Sequence, residues 1–266
     1  MERPFNCPVH DDANASASVN VDKGVWYCFS CGARGRARDK RKAPSPSYML
    51  SVLTGEADPV VYPERWLDVF DVVRTSPYWA ERVGEQVAAR HRCGTHPDDG
   101  SPTYPVRGPK GEVWGVVTRR VTDDGPKYRY PFDVSTSRTM FGYHRARPGG
   151  VVVVCEGAPD VMAVEQALPA DVGDVHALGV YGAGTHLPQV VLLTRLRPAL
   201  VVACFDADLA GHKAAARLAV TAADHRWPFV SVDWSTVGCK DAAEAPISQR
   251  RRLVLAAIGK RQERRP

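Results

Sequence analysis

Two five-residue apolar runs, Val151-Val152-Val153-Val154-Cys155 and Val201-Val202-Ala203-Cys204-Phe205, each stop abruptly at a carboxylate. An unbroken apolar run of that length, with no polar alternation, is the pattern of a strand buried on both faces, as in parallel sheets. Glu156-Gly157 follows the first run; Asp206-Ala207-Asp208 follows the second, with Gly211 opening the next segment. Between and beyond them the periodicity predicts a helix through Gln166, a strand over 175–181 and a glycine loop leading to a second helix. A strand over 199–205, a helix near 211–224 and a last strand over 229–232 complete the pattern. Such β-α alternation predicts a mostly parallel sheet covered by helices. It sets the carboxylates at the carboxyl edge, where open α/β sheets bind ligands.

Upstream the pattern differs. Apolar residues recur at helical spacing from Pro63 to Cys93, as in Trp66, Val69, Phe70 and Val73, then Trp79, Val83 and Val87. Pro63 and Pro77 suit helix starts, because the first turn needs no proline N–H. Short strands are predicted over 104–107, 112–117 and 127–130, separated by Gly-Pro-Lys-Gly and Asp-Asp-Gly-Pro turns. The first 35 residues carry cysteines and a strand-like Ala17-Ser18-Val19-Asn20-Val21; the Pro-Ser-rich stretch that follows has linker composition.

Composition narrows the class. With 266 residues and 44% apolar content the chain can bury one or two real cores. No uncharged apolar run approaches the length of a membrane span, and MERPFNCPVH lacks a signal-peptide core, so a cytoplasmic protein with no membrane contact is expected. In that compartment seven cysteines point to metal binding rather than to a disulfide framework. The net charge of +5 is unevenly spread: Arg34, Arg36, Arg38, Lys40, Arg41 and Lys42 fall together, and Arg250 to Arg252, Lys260, Arg261, Arg264 and Arg265 crowd the C-terminal end. Clusters of this kind suit a polyphosphate backbone.

Cys7-Pro8-Val9-His10 and Cys28-Phe29-Ser30-Cys31 are two ligand pairs of two-residue spacing, separated by seventeen residues. Each tight knuckle can aim both side chains at one ion, and two knuckles complete a tetrahedron of three thiolates and one imidazole suited to structural Zn²⁺. His91, Cys93 and His96 lack a fourth partner and are read as satisfied side chains of a loop. Cys155, Cys204 and Cys239 are read as small buried hydrophobes on or beside core strands. The carboxylates of Glu156, Asp206 and Asp208, gathered at one sheet edge, would repel one another unless a divalent cation neutralised them, the pattern of a Mg²⁺ site for phosphate chemistry. Asp160, one helical turn beyond Glu156, can share its face.

Glu156-Gly157-Ala158-Pro159-Asp160 followed by Asp206-Ala207-Asp208-Leu209-Ala210-Gly211 resembles the Toprim domain of primases, topoisomerases and related nucleases. The Cys-x2-His…Cys-x2-Cys unit resembles the zinc-binding domain of bacterial and phage DNA primases. Their order, with Tyr78-Trp79-Ala80-Glu81-Arg82, Gly111 to Gly115, Pro126-Lys127-Tyr128 and Met140-Phe141-Gly142 between them, resembles a DnaG-type primase core of phage type. Gly238-Cys239-Lys240-Asp241-Ala242-Ala243-Glu244 is similar to the segment closing the Toprim of phage primase-helicases.

The resemblance implies an α+β/α/β multidomain protein: a zinc-ribbon-like β domain over 1–35, a basic linker over 36–47 and a basic mixed α+β subdomain over 48–148. An α/β Toprim domain would follow over 149–245, then a basic tail over 246–266. It implies synthesis of RNA primers on single-stranded DNA from ribonucleoside triphosphates. Mg²⁺ or Mn²⁺ would be held by Glu156, Asp160, Asp206, Asp208 and Asp241, and Zn²⁺ by Cys7, His10, Cys28 and Cys31. Arg119, Arg120, Lys127, Arg129, Arg138, Lys213 and Lys240 would meet template and triphosphate, and Tyr128, Tyr130 and Phe132 could stack on bases. No G-x-x-x-x-G-K-[ST] sequence is present, so a separate replicative helicase is the expected partner. The alternatives are a non-catalytic zinc/Toprim DNA-binding protein of recombination-mediator type, or a Toprim nuclease.

Overall fold

The structure is a computed structural model that describes residues 2–7, 9–10, 15–20, 22–36, 59–71, 76–120, 127–130, 134, 136–182 and 184–259. Most of the expected linker, together with Val73, Phe132 and the last residues of the tail from 260 onward, therefore lies outside the described residues. The chain divides into two units, with residues 1–60 in the first and most of the remainder in the second.

The first unit is a four-stranded antiparallel sheet of β1 (Glu2–Phe5), β2 (Ala17–Asn20), β3 (Val25–Cys28) and β4 (Arg34–Arg36), in sequential order. Its core is small: Cys7, Ala17, Trp26, Cys28 and Ala33, with Phe5 set edge-on against Trp26. So little apolar area suits a unit stapled by a metal.

The second unit contains two sheets. After a 3-10 helix over Glu64–Phe70 come α1 (Pro77–Val83) and α2 (Glu85–Arg90). Pro77 opens α1 as expected, whereas Pro63 lies one residue before the 3-10 turn, which replaces the predicted α-helix there. The antiparallel sheet follows: β5 (Gly94–Thr95), β6 (Pro102–Arg107), β7 (Val113–Arg119) and β8 (Tyr128–Arg129). β6 and β7 are buried along nearly their whole length, and β8 is shorter than its sequence pattern suggests.

The parallel sheet is built from β9 (Val151–Cys155), α3 (Ala158–Ala167), β10 (Val175–Gly179), α4 (Leu187–Leu196), β11 (Leu200–Cys204), α5 (Leu209–Asp224) and β12 (Phe229–Ser231). Strand order is β10-β9-β11-β12, all parallel, with Cys155 of β9 beside Cys204 of β11. Every residue of the two central strands is buried, as their apolar runs require, while the edge strand β12 is not. One face packs Val152, Val154, Val201 and Ala203 against Leu192, Leu193 and Leu196 of α4 and Leu218 of α5.

The region from 246 onward is not a tail through its described part. Residues Ile247–Gly259 form α6, which packs on α3 and buries Arg250, Val254 and Ala257. Arg250, Val254 and Ala257 recur at helical spacing and form the face this helix buries, whereas Ile247 stays exposed.

Candidate active site

The strand order fixes where the chemistry sits. From β9 the chain moves to β10 on one side, then crosses to β11 on the other, so the connections diverge and leave a crevice beyond the carboxyl ends of β9 and β11. Glu156 follows β9 directly, and its carbonyl accepts the Gly182 N–H at 3.1 Å. Asp206 lies two residues past β11, and Asp208 caps α5 by accepting the Gly211 N–H at 2.9 Å. Gly211 is needed for this approach: a Cβ there would stand 2.0 Å from the Asp206 carbonyl oxygen.

A third segment closes over the crevice. The loop from Gly238 to Pro246 hydrogen-bonds Asp206-Ala207-Asp208 through Ala207 N–H to the Lys240 carbonyl at 2.7 Å. The Lys240 ammonium lies 3.2 Å from Asp206 Oδ2 and 3.7 Å from Asp208 Oδ2. The same loop gives the Ala243 N–H to Asp160 Oδ1 at 3.3 Å, and Asp241 Oδ1 accepts the Glu244 N–H at 2.7 Å.

The electrostatics are those of crowded, poorly hydrated anions. Burial pushes Glu156 up to about 7, and Asp206 and Asp208 push it in the same direction. Asp160, on α3, is also held at about 7 by burial and then by Asp241 and Asp206. Burial raises Asp206 despite the Lys240 ion pair, whereas the Gly211 hydrogen bond lowers the half-buried Asp208. A cap explains Asp208 but not a raised Glu156, Asp160 and Asp206 on neighbouring segments. The acids offer only carboxylate oxygens, the donor type that hard divalent cations take, although Lys240 partly offsets their charge. Among the described residues, only the cysteine–histidine quartet of the first unit has its ligand atoms gathered closely enough to hold an ion as it stands.

Beside the acids stands a basic wall. The Arg119 guanidinium at the end of β7 lies between two rings, 5.1 Å from the centre of Tyr78 and 5.2 Å from that of Tyr128, and donates to the Tyr128 hydroxyl at 2.5 Å. Such stacking fixes a cation's position without consuming all its N–H groups. The Lys127 ammonium is 5.9 Å from the Tyr128 ring, and burial lowers its pKa, with Arg119 and Arg82 adding repulsion and Asp241 opposing it. Tyr78 and Arg82 on α1 thus join the group. Sequence reading missed Arg82's part in it, because α1 meets β7 only through tertiary packing.

The other predicted basic residues are placed differently. Arg129 is ion-paired with Asp99, and Lys213 is exposed on α5. Arg138 belongs to a 3-10 turn over Thr136–Arg138, and Arg120 donates its backbone N–H to the Lys127 carbonyl. His91, Cys93 and His96 do not converge on a metal. His91 is buried, stacked on Phe141 and bonded to Glu165 at 2.9 Å; Cys93 donates to Met162 at 3.4 Å, and His96 lies 3.8 Å from Asp99. Cys155 and Cys204 are core residues, while Cys239 sits half-buried in the loop before Lys240.

In the first unit the metal-binding atoms of Cys7, His10, Cys28 and Cys31 all lie within 4.8 Å of one another, with the Cys7 and Cys31 sulfurs 3.6 Å apart. Zinc–sulfur bonds of about 2.3 Å around a tetrahedron require sulfurs about 3.8 Å apart. Burial pushes the Cys31 thiol up to about 12, with Cys28 and Cys7 adding to the shift, whereas hydrogen bonds from Ser16 and the Cys31 backbone outweigh burial at Cys28 and lower it. The ring of Phe29, between Cys28 and Cys31, is 64% exposed.

Comparison with known proteins agrees with this division. The CHC2 zinc finger family matches residues 5–42, and a Toprim-like family matches residues 153–245. A DNA primase of Pseudomonas aeruginosa is 31% identical over 290 aligned positions, which cover 79% of this chain and 43% of the relative. The chain thus spans about half the length, or less, of the curated primases it matches. The zinc-binding and RNA polymerase domains of Aquifex aeolicus primase superpose with a TM-score of 0.54 at 19% identity, covering 96% of this chain and 79% of that one. The primase fragment of the bacteriophage T7 primase-helicase gives the same score and identity, covering 96% of this chain and 99% of that fragment. Among the described residues no helix is long and apolar enough to cross a membrane. A CHC2 zinc finger followed by a Toprim sheet, with DNA primases as relatives and primase domains as neighbours in fold, makes this chain a member of the DnaG-type primase family.

Proposed function

We propose that the protein synthesises short RNA primers de novo on single-stranded DNA, joining ribonucleoside triphosphates by metal-dependent nucleotidyl transfer. The observation that carries this reading is the meeting of Glu156, Asp160, Asp206 and Asp208 at one switch-point crevice, with Lys240 among them and Arg119 and Lys127 beside them. Mg²⁺ or Mn²⁺ bound there, with Asp241 as a further ligand, would acidify the attacking 3′-hydroxyl and neutralise charge on the α-phosphate and the departing pyrophosphate.

The remaining work falls to the chain itself. Glu156 and Asp160 hold protons near neutrality and must release them for the site to be fully anionic. Lys240 is placed to exchange its carboxylate partners for a triphosphate oxygen. Arg119, fixed between Tyr78 and Tyr128, and Lys127 grip triphosphate and template backbone without reading sequence. The zinc-bearing unit, with one structural Zn²⁺ and the exposed Phe29 ring, engages template bases. A cytoplasmic, phage-type primase working beside a separate replicative helicase is the setting this reading implies.

The test is direct. The protein is incubated with a mixed-sequence single-stranded template, labelled ribonucleotides and Mg²⁺, and the products are resolved on a gel. New short oligomers support a primase. A cut template would mean a nuclease, and a shifted but unchanged template would mean a recombination-mediator type of binder.

A further inference from the structure

The guanidinium of Arg250, in the first turns of α6, is only 2% exposed, and its bonds join two segments that carry acids of the site. Nη1 donates to the Ala163 carbonyl at 2.8 Å and to Gln166 Oε1 at 3.1 Å, both on α3, one turn or more beyond Asp160. Nη2 donates to the Ala245 carbonyl at 2.7 Å, in the loop that carries Lys240 and Asp241. That loop meets Asp160 through the Ala243 N–H and is braced internally by the Ala245 N–H on the Asp241 carbonyl at 3.2 Å. Arg251 adds a parallel tie, its Nε donating to the Ala167 carbonyl at 2.7 Å.

A buried guanidinium needs a reason, because its desolvation is costly unless charge and hydrogen bonds offset it. Here the carbonyls supply most of the hydrogen bonds, and Asp160 and Asp241 are the carboxylates that favour its charge. Arg250 is therefore a buried, hydrogen-bonded cation near the acids, whereas the Lys240 ammonium, paired with Asp206 and Asp208, is exposed to solvent. Planar, rigid and always charged, arginine can hold two backbone segments at a set distance in a way lysine cannot.

We propose that Arg250 is a positioning residue of the acidic site: by tying Ala163 and Gln166 of α3 to Ala245, it sets the separation of Asp160 from the Lys240–Asp241 segment at which the divalent cation is held. The inference rests on the reading of this crevice as a metal site. Residues that orient metal ligands from behind typically change metal affinity by about 10- to 100-fold when altered.

The experiment uses the full-length chain and two readouts, thermal unfolding and primer synthesis titrated with Mn²⁺. Arg250→Lys should raise the Mn²⁺ concentration for half-maximal synthesis by about 10-fold while approaching the parent rate at saturation. Gln166→Ala, which removes one bond and keeps the charge, should shift it in the same direction by less. A purely structural role would lower the melting temperature and leave both half-saturation values unchanged, and that result overturns the proposal. If Arg250→Lys does not fold, an unchanged value in folded Gln166→Ala overturns it equally. Failure of the underlying reading looks different: the parent protein would show no dependence on Mn²⁺ at all.

Discussion

The ammonium of Lys240 lies 3.2 Å from a carboxylate oxygen of Asp206, so a residue of the closing loop neutralises an acid of the central strand end. On the proposed function, Lys240 and a divalent cation would be alternative partners for the same charge. Lys240→Ala should lower the melting temperature in the presence of a chelator at pH 8, and added Mg²⁺ should restore more stability to the variant than to the parent. Primer synthesis should fall by about 10-fold or more, because a donor aimed at developing phosphate charge is lost. Differential scanning fluorimetry with and without metal checks the first part, and a nucleotide titration checks the second.

Asp160 gives the fold a pH signature. Its folded value of about 7 lies above the ordinary carboxylate range near 4, so the folded chain keeps this proton longer than the unfolded chain. The stability it contributes is fully present below about pH 4 and lost as pH rises through about 7. In metal-free protein, the drop in melting temperature from pH 5 to pH 8 should be larger for the parent than for Asp160→Asn. Burial lowers the pKa of His91, which titrates in the opposite sense, but it is common to both proteins and cancels in the difference.

Gly211→Ala places a methyl group against the Asp206 carbonyl, where there is no room. The expected cost is about 1–3 kcal/mol of stability, typical of overpacking. Because the displaced atom belongs to Asp206, half-saturation by Mn²⁺ should also rise. Urea unfolding and a metal titration of synthesis measure the two effects.

The zinc unit should hold one ion per chain, measured by elemental analysis of purified protein. Cys28→Ser should empty the site and abolish templated synthesis. The thermal shift produced by Mn²⁺ should survive, because the acids belong to the other unit.

The parts of this site legible in sequence are those set by local pattern. Val151–Cys155 and Leu200–Cys204 announce central strands because burial on both faces demands continuous apolar residues, and the acids that end them mark the crevice. Asp160 follows from helical spacing, and the zinc ligands from knuckle spacing. What local pattern cannot show is which side chains meet across elements. Arg129, read as a template contact, is taken by Asp99, and Arg250, read as tail charge, is buried at the back of the site. Arg82 meets the Arg119–Lys127 group only because the fold brings Tyr78 of α1 to Arg119 of β7. Glu165 of α3, which bonds both His91 at the end of α2 and Arg145 in a 3-10 turn, carried no sequence signal at all.

The central claim is that Asp206 and Asp208 hold the cations that join nucleotides, and Asp206→Ala and Asp208→Ala test it most directly. Each variant is assayed for primer synthesis with Mg²⁺ or Mn²⁺ and, in parallel, for binding of labelled single-stranded DNA. The account predicts that synthesis is abolished in both while DNA binding stays close to that of the parent. Primer synthesis at the parent rate by both variants would contradict it.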